Sequence, residues 1–397
     1  MKKVLAFMLL FVFALMSCVS VFAETAANNE AEAYKLNSVE FDASCGSALL
    51  MEASTGAVLY AHNPSYEASP ASVTKVMTLL LVMEALDSDI LKLDEQISIS
   101  QTASSMGGSQ VFLKEGERMS AEELIKCTVI ASANDAAVAL AERVAGSVDA
   151  FVKLMNERAR ELGMVNTHFD NPTGLDDTTD NNYTSAMDIA IMSRELLKYP
   201  LITKYSSMWQ DSIRDGEFTL TNTNRLVRYY DGCNGLKTGS TDKAGYCISA
   251  TAKRGEMQLV AVVMGAKTRD ERNEIARELL DLGFANYAVY TEAEQVVENV
   301  PVFGGNVDNV NVYSHAFSAI INKSDLSKIS KVYSIPDHIT APAGAMDTVG
   351  EIIYEVGGKR VGKTELFVKE NIGEIGVFWL FGRILHTAVL GESKKQE

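Results

Sequence analysis

The chain reads as an α+β protein: an antiparallel sheet flanked by helices, with a helical subdomain inserted into it, followed by a small C-terminal β domain. Three patterns predict this. Two hairpin-like stretches, residues 44–62 and 246–264, stand far apart in sequence, and the segment between them is mostly of helical period. After Tyr290 the texture turns to short β-prone runs punctuated by Gly and Asn. Strands that enclose a helical middle suit one sheet built from both ends, with a cleft between sheet and helices. A length of 397 residues at 47% hydrophobic content is enough to bury the cores of two or three domains.

In chain order, residues 1–23 read as a signal peptide: Lys2 and Lys3, an apolar run from Val4 to Met16, and Val21-Phe22-Ala23 placed for cleavage before Glu24. Leu15-Met16-Ser17-Cys18 resembles a lipoprotein acylation box only faintly, Met16 being a poor fit. Residues 24–38 are expected to be a linker and 39–289 the main domain. Within it, Ser44–His62 gives two strands joined at Ser54-Thr55-Gly56. Ser120 and Glu123 form a capping box before a helix that carries Leu124, Ile125, Val129 and Ile130. In the second hairpin Tyr246, Ile248, Ala250 and Ala252 share one face, with a turn at Lys253-Arg254-Gly255.

Residues 290–372 form the β-rich domain, in runs such as Val310–Tyr313 and Glu351–Tyr354. The tail, 373–397, contains an apolar segment from Ile375 to Leu390 with a thin stripe of Gly376, Arg383 and Thr387. That segment is short for a bilayer span. Phe378, Trp379 and Phe381 beside a charged end suit an amphipathic helix lying in a membrane surface, the alternative being a last helix docked on the β domain. The expected location is outside the cytoplasmic membrane, peripheral to it.

Formal charge is −16, and loss of the leader, which carries two lysines and no acid, leaves −18. Such a balance argues against nucleic acid as a partner and against purely electrostatic attachment to an anionic membrane. Cys45, Cys127, Cys233 and Cys247 remain after processing; four cysteines allow three pairings, and nothing in the sequence chooses among them or against free thiols.

The chemistry is carried by three short elements. In Ser69-Pro70-Ala71-Ser72-Val73-Thr74-Lys75, Ser69 suits an N-cap and Pro70 the first helical position, which puts Ser72 in the first turn with Lys75 on the same face. A serine hydroxyl needs a neighbour to take its proton, and a lysine can do so once burial or a second cation lowers its pKa. Alone, this spacing is also that of a capped helix with a solvated lysine. Ser132-Ala133-Asn134 follows at a bend between two helices, and Lys237-Thr238-Gly239 lies on a β-prone stretch where the glycine permits close approach of another backbone.

These elements, in this order, resemble the serine penicillin-recognising enzymes. Ser69–Lys75, Ala131–Ala136, Asn171-Pro172-Thr173-Gly174-Leu175 and Gly235–Tyr246 look like the low-molecular-mass D-alanyl-D-alanine carboxypeptidases, and with leader, β domain and tail the likeness covers nearly the whole chain. The resemblance implies the penicillin-binding, β-lactamase-like transpeptidase fold and removal of the last D-alanine from peptidoglycan stem peptides, with β-lactams as covalent inhibitors and no cofactor. It implies Ser72 as nucleophile, Lys75 as base, Ser132 as proton relay and Asn134 as orienting amide. Lys237, Thr238 and Gly239 would line the substrate side, the backbone N–H groups of Ser72 and Ser240 would hold the oxyanion, and Arg272 would meet the terminal carboxylate. Arg272 matches by position only; Thr223 stands where some members carry a second arginine, with Arg225 nearby.

Two rivals share the motifs, a β-lactamase and a non-catalytic envelope module. The first usually carries Ser-Asp-Asn and a deacylating glutamate, whereas this chain has Ser-Ala-Asn. The intact polar residues of all three motifs weigh against the second. His62, His168, His315, His338 and His386 lack the spacing of a zinc peptidase, no metal site is expected, and no Gly-x-Ser-x-Gly elbow is present.

Overall fold

The computed structural model describes residues 32–176 and 181–376. The expected leader and the greater part of the apolar tail segment, from 377 on, lie outside the described residues. Among the described residues two compact units are present: one holds Leu36–Val289 with Ile320–Ser324, the other Tyr290–Ala319 with residues 32–35 and 325–376. Of the expected linker, Ala33 forms a parallel bridge to Arg360 in the second unit.

In the first unit, strands β1 (Ser47–Glu52), β2 (Val58–His62), β3 (Cys233–Thr241), β4 (Gly245–Arg254) and β5 (Met257–Ala266) form one sheet. Its order is β2-β1-β5-β4-β3, with every pair antiparallel. The two ends of the unit's sequence therefore meet at the β1–β5 seam, and β3 is left as an edge. Alternation sorts side chains onto two faces. Leu49, Met51, Val260 and Val262 pack toward the helical core, while Ala48, Leu50, Ile248, Ala250 and Ala252 pack the other way, in the cluster that contains Ile275, Leu279 and Leu280.

Helices α1 (Lys75–Asp87), α2 (Ala121–Ile130), α3 (Asn134–Ala145), α4 (Val148–Glu161), α5 (Ala186–Leu196) and α6 (Arg269–Asn286) complete the frame. α1 is buried at every position from Lys75 to Met83, as a helix apolar all round must be, and so forms the axis of the helical core. The capping box of α2 is made in both directions, Ser120 Oγ accepting from Glu123 N and Glu123 Oε2 from Ser120 N, each at 3.2 Å. α3 ends at left-handed Gly146. α6 begins at Thr268, whose Oγ1 accepts from Glu271 N at 3.1 Å.

The described residues of the second unit carry a six-stranded sheet of β6 (Gln295–Phe303), β7 (Asn309–Ser314), β8 (Ile329–Ser334), β9 (Ile339–Thr340), β10 (Thr348–Val356) and β11 (Lys359–Val368), in the order β8-β10-β11-β7-β6-β9. Val300, Val310, Val312, Ile352, Tyr354 and Leu366 fill its core. All four cysteines of the described residues are free thiols. Cys233 and Cys247 pair across β3–β4 with Ala252 and Gly239 respectively, and so sit at separate points of the ladder.

Candidate active site

The Ser72 segment departs from the expected capped helix. Ala71–Thr74 is a 3-10 turn, the α-helix starts only at Lys75, and Ser69 Oγ is buried without a hydrogen-bond partner instead of capping. Ala71 takes a left-handed φ of 47°, so Ser69 and Pro70 cannot lead straight into helix. The turn is wedged from outside by Gly174, where a Cβ would lie 1.8 Å from the Ala71 carbonyl oxygen. From the sheet side a Cβ on Gly239 would lie 2.8 Å from Ser72 N, so the expected close backbone approach occurs, and it occurs at the serine.

Lys75 Nζ lies 3.0 Å from Ser72 Oγ and donates to Asn134 Oδ1 at 2.6 Å and to the Thr173 carbonyl at 2.8 Å. Asn134 is the first residue of α3, reached through Ser132, which turns the chain at a left-handed φ of 63°. Its amide nitrogen donates to the Gly107 carbonyl at 2.7 Å, and its backbone N–H to the Ser109 carbonyl at 2.7 Å. The same loop is held by Asp135, whose Oδ2 accepts from Val111 N and Leu113 N at 3.1 Å each. Lys237, on β3, donates to Ser132 Oγ and to the Thr238 carbonyl, both at 2.8 Å. Ser72, Lys75, Ser132, Asn134 and Lys237, drawn from three distant segments, thus form one connected polar cluster.

Both lysines are buried, Lys75 fully and Lys237 to 1% exposure. Burial, and then the charge of Lys237, push Lys75 well below the ordinary lysine range, against a smaller opposing pull from Asp135. Burial, and then the charge of Arg272, bring Lys237 down to about 7. A neutral amine has two N–H groups and one lone pair. With Asn134 and Thr173 taking the two N–H groups, the lone pair of Lys75 is left for the Ser72 hydroxyl proton.

Ser72, Ser132, Thr238, Gly239, Ser240 and Arg272 open onto one cavity of about 460 Å³. Arg272 is buried, and its guanidinium donates from Nε and Nη2 to Asn273 Oδ1 and from Nη1 to the Cys247 carbonyl. One N–H on each terminal nitrogen is left over. Thr238 Oγ1 lies 2.7 Å from Thr223 Oγ1. The sequence reading missed the Thr173 and Gly107 carbonyls, because an acceptor supplied by backbone leaves no residue type to find. It also missed Trp209, and Arg269 one turn before Arg272, which line the cavity outside the three motifs. Among the described residues, no carboxylate lines this cavity and no cluster of metal-ligating side chains is present.

Comparison with known proteins agrees with this geometry. Residues 31–268 match the family described as D-alanyl-D-alanine carboxypeptidase, and residues 285–374 match the C-terminal domain of penicillin-binding protein 5. The chain is 41% identical over 346 residues to D-alanyl-D-alanine carboxypeptidase DacF of Bacillus subtilis, covering 85% of this chain and 88% of that protein. It superposes on penicillin-binding protein 5 of Haemophilus influenzae with a TM-score of 0.75 at 30% identity, covering 85% of this chain and all of that one. Ampicillin-bound penicillin-binding protein D2 of Listeria monocytogenes matches with a TM-score of 0.57 at 31% identity, over 62% of this chain and 99% of that one. The chain belongs to the D-alanyl-D-alanine carboxypeptidase family of low-molecular-mass penicillin-binding proteins.

Proposed function

We propose that this protein is a serine D-alanyl-D-alanine carboxypeptidase that removes the terminal D-alanine from peptidoglycan stem peptides through an acyl-enzyme on Ser72. The observation that carries the reading is the 3.0 Å approach to Ser72 Oγ of a fully buried Lys75, whose pKa burial and Lys237 hold well below the ordinary range. The substrate lies along the free edge of β3, as an added strand would, with its terminal carboxylate on the two unused N–H groups of Arg272. Lys75 takes the hydroxyl proton as Ser72 Oγ attacks the carbonyl between the two D-alanines. The backbone N–H groups of Ser72 and Ser240 receive the oxyanion, each such donor contributing about 3 kcal/mol in comparable sites. Ser132, bridged to Lys237, relays that proton from Lys75 to the departing amine, so Lys75 is neutral again as D-alanine leaves. Water then attacks the ester with Lys75 again as base, restoring Ser72 Oγ–H and releasing the shortened peptide.

A β-lactam presents the same carboxylate and a strained amide to the same groups. Its acyl-enzyme is expected to turn over slowly, because the amine freed from a cyclic amide stays tethered to the acyl group. The leader and the aromatic-rich tail segment in the sequence support an exported protein held at the outer face of the cytoplasmic membrane. Among the described residues no helix is long and apolar enough to cross a membrane. The test is incubation of the soluble protein with diacyl-Lys-D-Ala-D-Ala. Wild type is expected to release D-alanine and Ser72→Ala none; absence of release by wild type, with rapid hydrolysis of penicillin, would point to a lactamase instead.

A further inference from the structure

The cavity holds more positive charge than one carboxylate needs. Besides Arg272, its wall carries Arg225 and Arg269. Both are exposed, and among the described residues neither guanidinium has a hydrogen bond or an ion pair. This is unusual on a chain of net charge −16, where acids outnumber bases 52 to 36. The two belong to different elements, Arg269 to the first turn of α6 and Arg225 to the segment before a short helix at Leu226–Tyr229. They lie close enough to Arg272 that both, after its burial, depress its pKa, to about 10. Three mutually repelling cations facing one solvent-filled space are neutralised best by more than one negative charge. The cavity, about 460 Å³ and lined also by Trp209 and Thr221, leaves room beyond the methyl group of a terminal alanine.

We propose that Arg225 and Arg269 form a second carboxylate subsite beside Arg272, so that the enzyme favours peptides whose C-terminal D-residue carries an acidic side chain over those with a neutral side chain of the same shape. The main-chain carboxylate sits on Arg272 and the side-chain carboxylate between the two exposed arginines. This inference rests on the carboxypeptidase reading of the same site. The charge-assisted contacts it adds are partly solvated, and a preference of roughly tenfold is expected of them.

The experiment measures kcat/KM for diacyl-Lys-D-Ala-X with X = D-Glu, D-Gln and D-Ala, in wild type, Arg225→Gln, Arg269→Gln and the double variant. D-Glu is expected to be released about tenfold faster than its isostere D-Gln by wild type, and the ratio is expected to collapse toward one in the double variant and in high salt. Labelling by fluorescent penicillin verifies that each variant is folded. Competition against that labelling compares the affinity of the D-Glu and D-Gln peptides without requiring turnover. A wild-type ratio near one, or a ratio that survives in the folded double variant, overturns the subsite while leaving the carboxypeptidase intact. Failure to release D-Ala as well overturns both.

Discussion

A buried lysine is costly while it is charged and useful once it is not, and this site holds two. Lys75 suits the proposed role of base because burial and the neighbouring Lys237 hold its pKa well below the ordinary lysine range and because two carbonyl acceptors fix its N–H groups. Replacing it with Met should slow acylation by penicillin by roughly 10³-fold in a protein whose circular dichroism is unchanged, as stopped-flow labelling would show. Lys237 gives a stability prediction. Its folded pKa of about 7 lies below the ordinary 10.5, so between those values the unfolded chain binds a proton that the folded one does not, and stability rises with pH. The melting temperature of wild type minus that of Lys237→Met should therefore climb from pH 7 toward 10.5 and be level below pH 7; a difference that falls with rising pH contradicts the assignment. At this scale the sequence was most legible where side chains carry the chemistry: Ser72, Lys75, Ser132, Asn134 and Lys237 all converge. It was silent where backbone does, at the Thr173 and Gly107 carbonyls, and it misjudged Ser69, because cap propensity is local whereas the left-handed Ala71 is imposed by a loop about a hundred residues away.

The elements succeed where periodicity and end signals agree. The two hairpins, the capping box at Ser120 and the bend at Ser132 follow from patterns a few residues long. What such patterns cannot reveal is which element wedges which. Asn171-Pro172-Thr173-Gly174-Leu175 reads as a turn, yet in the fold it clamps the serine turn: Asn171 Oδ1 accepts from Thr173 N and Gly174 N at 3.0 and 2.7 Å, and Thr78 Oγ1 reaches back to the Pro172 carbonyl at 2.6 Å. Gly174 has φ of 77° and no room for a Cβ. Gly174→Ala should cost at least about 2 kcal/mol and slow acylation as well, since it shifts both Ala71 and the carbonyl that holds Lys75. Urea unfolding and the penicillin acylation rate of the same preparation check the two effects, and a variant as stable and as fast as wild type would remove the clamp from the account.

For the whole molecule, the order of hairpins, helical middle and β-prone end predicts the class and the comparisons confirm it: an α+β fold of this family with a C-terminal β domain. The register of the sheet was beyond reach, because the β1–β5 seam joins residues some two hundred positions apart through contacts that no local pattern encodes. Almost the whole of the Listeria chain is matched by 62% of this one, so the catalytic unit should stand without the β unit. A chain ended after Val289 should be acylated by penicillin at the wild-type rate. It should melt at a lower temperature, because it loses Ile320–Ser324, including the bonds from Lys323 Nζ to the Phe284 carbonyl at 3.0 Å and from Asn37 N to Asn322 Oδ1 at 2.9 Å. A truncated protein that folds but is not acylated would mean the β unit takes part in the chemistry. Mass spectrometry reads the proposed acyl-enzyme most directly: digestion of the penicillin-treated protein should place a single stoichiometric adduct on Ser72, whereas an adduct on Ser132, or none on a folded protein, would mean that Ser72 is not the nucleophile.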